Sequence, residues 1–337
     1  MRGILGTLVG VVGSAIALVA GFGLWAAGRQ VPASREAEIV SYGGAAGEAA
    51  APPETFTVVT YNIGYLSGLT NNQAVARSPA LYAENLDTAI AGLGVVAPDV
   101  IAFQEIDVAA RRSYRRDQVA AIAQALDFPI GAIALNWNKR YVPFPPWPPT
   151  AHFGAIVSGQ AVLSRFPIQR HDRIVLQKVA SQSFVYNAFY LDRLAQVVEL
   201  EVGGQSVILI NLHLEAFDEP TRHAQTLAVR AIAEQYAATY PVIVLGDFNS
   251  AINRTDAEEG DTHTILDMVA AEEFQSLVPE ADWRDPAQFT FPTDAPRYRL
   301  DYGFYTPARL ELVATRVLTE TAQASDHFPV VMTFRLR

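Results

Sequence analysis

The stretch "VLGDFNSA", Val244 to Ala251, ends an apolar run on an acid and an amide, Asp247 and Asn249. Side chains of a strand alternate between faces, so Ile243, Leu245, Asp247 and Asn249 are expected on one face and Val244 and Phe248 on the other. A buried, unpaired carboxylate is costly, so the pair needs solvent, donors or a cation. Taken alone, the stretch reads equally as a turn, since Gly, Asp, Asn and Ser are the usual turn formers. It does not stand alone. "VVTYNIG" ends on Asn62, "VIAFQEI" carries Glu105, "ILINLHLEA" carries Asn211 and His213, "RLDYGFY" carries Asp301, and "SDHFPVV" sets Asp326 and His327 just before the last apolar run. Six clusters of Asn, Glu, Asp and His beside apolar strands suit metal or phosphate chemistry better than coincidental turns.

Composition narrows that chemistry. The chain has no cysteine, which excludes a thiol nucleophile, a thiolate metal site and a disulfide framework. Any metal is therefore held by oxygen or imidazole. The only lysines are Lys139 and Lys178, and neither lies in a GxxxxGK[ST] run, so a phosphate-cradling nucleotide loop is excluded. A formal net charge of -10 argues against non-specific binding to nucleic acid or anionic lipid, although a local basic cleft can coexist with an acidic whole. With 337 residues, half of them hydrophobic, the chain can bury a large core.

The elements that must position these residues follow from periodicity. "FTVVTYNI", "SPALYAENLDTAIAGLG" and "PDVIAFQEI" read as a strand, a helix and a strand, a βαβ unit. "RDQVAAIAQALDF" is a second helix, followed by a short strand. "SGQAVLSRFPI" and "LAQVVELEVGGQSVILINLHLEA" read as a hairpin meander turning at Gly203-Gly204. "DEPTRHAQTLAVRAIAEQYAATY" is a helix capped by Asp218 with Pro220 in its first turn. A short helix near Thr264 to Ala271 and strands around Leu300 to Tyr305, Ala308 to Leu318 and Phe328 to Leu336 complete one large α/β domain over residues 55–337.

In that order and spacing, "YNIG", "QEI", "NLHLEA", "GDFNS", "LDYGF" and "SDHFPV" resemble the endonuclease/exonuclease/phosphatase (DNase I-like) superfamily over roughly Phe56 to Arg337. The resemblance implies a four-layer sandwich of two packed mixed β-sheets flanked by helices, with an active site at one end of the sheets. It implies a metal-dependent phosphoric ester hydrolase, with Glu105 as the direct carboxylate ligand of Mg2+ (or Mn2+) and Asn62 and Asp326 close by. Hard cations of this kind take oxygen ligands and keep several waters. Asp247 is implied as the base that orients and deprotonates the attacking water, and Asn249 as the residue holding the phosphate. His327, oriented by Asp301, and His213 are implied as phosphate donors, with Asn211 and Arg193 as further phosphate contacts. One departure concerns His213: where several branches carry a supporting acid, this chain has Ile156, Val157 and Ser158, so His152 or Ser158 is expected to substitute.

The N-terminus is different material. Ile4 to Ala27 carries no charge and, as a helix rising about 1.5 Å per residue, would cross a bilayer. It exceeds the usual apolar core of a secretory signal, so residues 1–28 are expected to be an uncleaved anchor, with a cleaved signal and a secreted product as the alternative. The catalytic domain is then expected outside the cytoplasm. Residues 29–54, rich in Ala, Gly, Pro and charge, read as a flexible tether. "RYVPFPPWPPTAHFG", Arg140 to Gly154, is too proline-rich for a helix and reads either as an aromatic loop that meets a membrane or as an edge-packed loop. "RRSYRR", Arg111 to Arg116, reads as a solvated helix start or as an anion site. The apolar segment, the aromatic loop and the acidic whole favour a phosphodiesterase acting on a phospholipid or sphingolipid head group, whereas the arginine cluster favours a nuclease. A DNase I-like nuclease and a non-catalytic scaffold of the same fold are the alternatives.

Overall fold

In the computed structural model, which describes residues 2–43, 53–252 and 263–337, the chain enters as helix α1 (Arg2–Ala27) and strand β1 (Ala37–Ser41). Strand β2 (Phe56–Asn62), helix α2 (Pro79–Gly94) and strand β3 (Val100–Asp107) form the expected βαβ unit, with β2 and β3 parallel. Ser78 caps α2 by accepting from the Leu81 amide, with Pro79 at the first helical position, where its missing N–H costs nothing. Helix α3 (Gln118–Ala125) is capped by Asp117, which accepts from the Ala120 amide. Strands β4 (Ile130–Val142), β5 (Gly154–Ser164) and β6 (Ile168–Val175), helix α4 (Phe184–Phe189) and the hairpin of β7 (Leu194–Val202) and β8 (Gln205–His213) follow. Gly203 and Gly204 make the hairpin turn, both at positive φ, as a tight two-residue turn requires. Helix α5 (Glu219–Ala237), capped by Asp218, leads into β9 (Val242–Asp247), then α6 (His263–Val269), β10 (Gln275–Ser276), β11 (Asp301–Tyr305), β12 (Leu310–Val317) and β13 (Val330–Leu336).

A seven-stranded sheet runs β1-β4-β5-β3-β2-β13-β12, and a six-stranded sheet runs β10-β11-β9-β8-β7-β6. Both mix parallel and antiparallel pairs. Val58, Val100, Ala102 and Met332 of the first sheet pack against Val198, Leu209, Ile243 and Leu245 of the second. Outside the first sheet lie Leu86 of α2 and Ile122 of α3; outside the second lie Val229 of α5 and Met268 of α6. The result is the four-layer arrangement expected, since each sheet has two apolar faces to cover.

Three local expectations are corrected. The span from residue 29 is not a free tether at its start: Ala37–Ser41 pairs antiparallel with β4, and residues 44–52 lie outside the described residues. Upstream of that strand, the Asn138 side chain accepts from the Gln30 and Val31 amides at 2.8 and 3.1 Å, and the Arg140 amide donates to the Gly28 carbonyl at 2.8 Å. The Phe22 ring of α1 also rests 5.8 Å from the ring of Tyr141. The strand after α3 is long, not short, running through Val142. The meander is divided, because β5 joins the first sheet while β6 pairs with β7 in the second.

Candidate active site

The second sheet sets one row of residues side by side. In register, Leu194 of β7 faces His213 of β8, His213 faces Asp247 of β9, and Asp247 faces Asp301 of β11. Paired residues of neighbouring strands share a face, so His213, Asp247 and Asp301 reach the same end of the inter-sheet space. The first sheet brings Asn62 at the end of β2, Glu105 from β3, and Asp326 and His327 from the loop before β13. Glu105 is not at a strand end. It sits where the β3–β5 register shifts, between Phe103 and Ile106, with φ +52. A bulge of this kind turns one side chain out of the alternation and into the site.

The alternation rule also fails beyond Asp247. Strand β9 ends there, and Asn249 lies in a turn at φ +50, where its amide donates to Asp247 Oδ1 at 2.8 Å. The turn reading of "GDFNS" therefore holds at Asn249, while Asp247 and Asn249 both line the same cleft. Its glycine has a separate reason: Gly246 is at φ +141, and a Cβ there would lie 2.0 Å from the Leu212 carbonyl oxygen. Phe248 packs in the outer core with Val244, as expected.

Asp247 is 1 % exposed, and Asn62 Nδ2 donates to its Oδ2 at 2.9 Å. Burial, opposed by His327 and reinforced by Asp301, pushes the Asp247 carboxyl up to about 7, where it can take a proton near neutrality. His327 Nδ1 meets Asp301 Oδ2 at 2.8 Å, and its Nε2 lies 3.9 Å from Asp247 Oδ2. Burial opposes charge on His327, but Asp301 and Asp247 outweigh it and raise the imidazole to about 10. His213 behaves oppositely. Burial first, and then the Arg193 and His327 cations, hold it well below the ordinary histidine range, so this imidazole is neutral. Its Nε2 is 3.5 Å from Asp247 Oδ2 and 3.8 Å from Glu105 Oε1, while its Nδ1 has no partner among the described residues. Neither expected support reaches it: Ser158 donates to the Ile106 carbonyl, and His152 Nδ1 pairs with the Tyr141 hydroxyl.

Glu105 and Asp326 face one another across Asn71, whose Nδ2 lies 3.3 Å from Glu105 Oε2 and 3.3 Å from Asp326 Oδ1. Asn71 was invisible in the sequence, since it lies in a loop without apolar period. An amide nitrogen bridging two carboxylates marks a place where positive charge is favoured, and Asn71 Oδ1 is buried with no partner among the described residues. The two carboxylates are oxygen donors of the kind Mg2+ or Mn2+ takes, and Asn71, with its nitrogen toward them, orients them. Asn62 fits less directly. The Gly64 amide donates to its Oδ1 at 3.1 Å, which fixes the amide with its nitrogen toward Glu105 and Asp247, so Asn62 orients carboxylates rather than ligating. Asp247, Asp301 and His327 also cluster within 4.8 Å. The hydrogen bond between His327 and Asp301 makes that group an acid–imidazole relay before it is a cation cage.

Asn211 is a correction. It is fully buried between the sheets, donating from Nδ2 to the Phe103 carbonyl and Gln196 Oε1 and accepting at Oδ1 from Gln104 Nε2 at 2.7 Å. Its amide group is spent on tying the sheets together, and it does not line the cleft. Arg193 does line it, held by Tyr190 at 3.1 Å and lying 3.5 Å from Glu215. Two of its guanidinium nitrogens have no hydrogen-bond partner among the described residues.

These groups floor a cleft of about 940 Å³. Its mouth is apolar: Phe144, Val185, Tyr186 and Phe217 line it, with Val185 65 % and Phe217 83 % exposed. Phe184 and Trp147, neighbours in sequence of these lining residues, are 82 % and 76 % exposed. The proline-rich loop thus divides, since Phe153 is buried in the core and Trp147 stands in solvent.

The sequence matches the model of the Endonuclease/Exonuclease/phosphatase family over residues 59–327. A UPF0294 protein of Vibrio cholerae is 31% identical over 133 residues, which are 40% of this chain and 41% of that protein. The match thus spans less than half the length of that curated relative. Among solved structures, an endonuclease/exonuclease/phosphatase from Beutenbergia cavernae superposes with a TM-score of 0.61 at 23% identity, covering 84% of this chain and 72% of the other. TDP2 of D. rerio, complexed with a single strand DNA product, gives 0.56 at 14% identity over 84% and 100%. At such identities the likeness is one of fold.

Proposed function

The chain belongs to the endonuclease/exonuclease/phosphatase family, a family of phosphoester hydrolases, and we propose that it is a Mg2+- or Mn2+-dependent phosphodiesterase acting on a phospholipid or sphingolipid head group at a membrane. The observation that carries the lipid reading is the pairing of a charged catalytic floor with an exposed apolar mouth. A lipid glycerol or ceramide backbone buries against Phe217 and Val185 at the entrance at roughly 25 cal/mol per Å². α1 adds to it: among the described residues, the window Gly10–Ala27 has a mean hydropathy of 1.8 and is long enough to cross a bilayer, a test that a signal sequence also passes.

Glu105 and Asp326 would hold the cation, with Asn71 beside them. When bound, the cation would neutralise a nonbridging oxygen and help the departing alkoxide. Asp247 takes the proton of the attacking water, aided by a carboxyl raised toward neutrality. The charged His327, kept in one tautomer by Asp301, places an N–H on the phosphate, and neutral His213 and Arg193 approach from the second sheet. Asn249 holds the turn that aims Asp247. A scaffold has no need of Glu105, Asp247, Asn249, Asp326 and His327 all lining one cleft, with Asp301 bonded to His327.

The test is a side-by-side panel with the full chain, Mg2+ and an EDTA control on sphingomyelin and phosphatidylinositol vesicles, inositol phosphates, plasmid DNA and bis-p-nitrophenyl phosphate. Preference for a vesicle substrate supports the lipid reading. Preference for DNA supports the nuclease reading, which the DNA-bound TDP2 of like fold motivates. Metal-independent turnover, or none on any phosphoester, overturns the assignment.

A further inference from the structure

A second concavity, of about 420 Å³, adjoins the catalytic cleft and shares Arg112 with it as a wall. Arg112 itself is committed: it forms a two-pronged pair with Asp107 at 2.8 and 3.0 Å, and its guanidinium stacks 3.6 Å from the centre of the Tyr65 ring. The other cations are not. Arg77, Arg111 and Arg115 line this concavity, no acidic residue does, and among the described residues none of the three forms an ion pair with a carboxylate. Arg77 is held by the Thr70 and Gln73 carbonyls, which orient it without neutralising it. His152 completes the lining, with its Nε2 buried and unpartnered among the described residues. Three arginines converging on one hollow with no acid in its lining make a site for a multiply charged anion.

Its place in the fold specifies the anion further. His152 Nδ1 is hydrogen-bonded to the Tyr141 hydroxyl at 2.7 Å, and the Tyr141 ring packs 5.8 Å from Phe22 of α1. The hollow therefore stands beside the end of the apolar helix, where lipid phosphates gather if that helix is in a bilayer. We propose that Arg77, Arg111, Arg115 and His152 form a non-catalytic phosphate-binding site that takes the head-group phosphate of an anionic lipid. The site is separate from the catalytic floor and does not depend on which substrate that floor hydrolyses.

The test uses the full chain in phosphatidylcholine nanodiscs with EDTA, so that metal-dependent binding in the catalytic cleft makes no contribution. Short-chain phosphatidic acid and inorganic phosphate are titrated separately by calorimetry against wild type and an R111Q/R115Q variant. Both substituted side chains are solvent-exposed, so the variant is expected to fold and to keep bis-p-nitrophenyl phosphate turnover within about twofold. Saturable binding of phosphatidic acid that weakens at least about tenfold in the variant supports the lipid phosphate. Equal binding of inorganic phosphate, weakened in the same way, keeps the site but reassigns its ligand to free phosphate. Absence of saturable binding by either probe, or binding unaffected by the double substitution, overturns the proposal. Binding lost only on Asp247→Asn places the phosphate in the catalytic cleft and overturns it as well.

Discussion

Replacing Asp301 by Asn tests the relay that keeps His327 charged. The Asp301 side chain is fully buried, and its Oδ2 lies 2.8 Å from His327 Nδ1. Despite burial, His327 stands at about 10 against an ordinary 6.5, and at 1.36 kcal/mol per pH unit that gap is about 5 kcal/mol in favour of the imidazolium. Asp301 is the largest of the effects that raise it. Assigning it half of the gap, an Asp301→Asn enzyme holds His327 at about 8. Activity that needs the cation is lost as pH rises through that value, so the alkaline limb of kcat should move down by about two pH units. The acid limb should move little. His327 is still charged at the pH of that limb, so Asp247 loses only the raising influence of Asp301 and any movement of the acid limb is to lower pH. The assay is a kcat profile from pH 5 to 11 on bis-p-nitrophenyl phosphate with saturating Mg2+, alongside thermal melts. An alkaline limb unmoved by the substitution, in a protein that still melts cooperatively, refutes the charged-His327 argument.

Asp247→Ala should reduce turnover at least about a thousandfold, because it removes the proton acceptor; near-native rates would remove it from the mechanism. Asn71→Ala should weaken Mg2+ binding about tenfold in a calorimetric titration, the usual cost of removing a residue that orients carboxylate ligands. Gly246→Ala should destabilise by about 3 kcal/mol in urea melts, since its Cβ would meet the Leu212 carbonyl oxygen at 2.0 Å. Phe184→Ser with Phe217→Ser should cut vesicle hydrolysis about tenfold more than hydrolysis of a soluble diester, and an equal loss on both would count against the apolar mouth as a lipid contact.

The residues near the site were legible because metal and phosphate chemistry needs a small vocabulary, and "QEI", "GDFNS", "LDYGF" and "SDHFPV" spell it beside apolar strands. The strand order was legible in part: the βαβ unit and the Gly203-Gly204 hairpin follow from local pattern. Which sheet β5 and β6 join does not, because pairing is set by contacts distant in sequence: β5 is buried on both faces between β4 and β3, while β6 is a largely uncovered edge strand. Backbone irregularity was the main obstacle at the site itself. Period-two reasoning puts Asn249 in line with Asp247 and Glu105 at a strand end, whereas a turn and a bulge, both at positive φ, do the positioning. Asn211 misled for the converse reason. It has the right residue type on the right face, but Gln104 and Gln196 engage its amide between the sheets. Asn71 gave no signal, since a single loop amide acquires meaning only from the two carboxylates that the fold brings to it.

The short span between α1 and β4 has a consequence for how substrate arrives. A catalytic head on a loose leash sweeps a hemisphere and meets molecules in the surrounding volume. Here Gly28, Gln30 and Val31 are bonded directly to Asn138 and Arg140, which sets the position of the domain relative to α1. With that helix in a bilayer, the cleft can search only one plane, and molecules must drift into it sideways. The quantity that then governs turnover is the number of substrate molecules per unit area, and diluting the lipid with an inert one at constant bulk concentration should slow the enzyme in proportion.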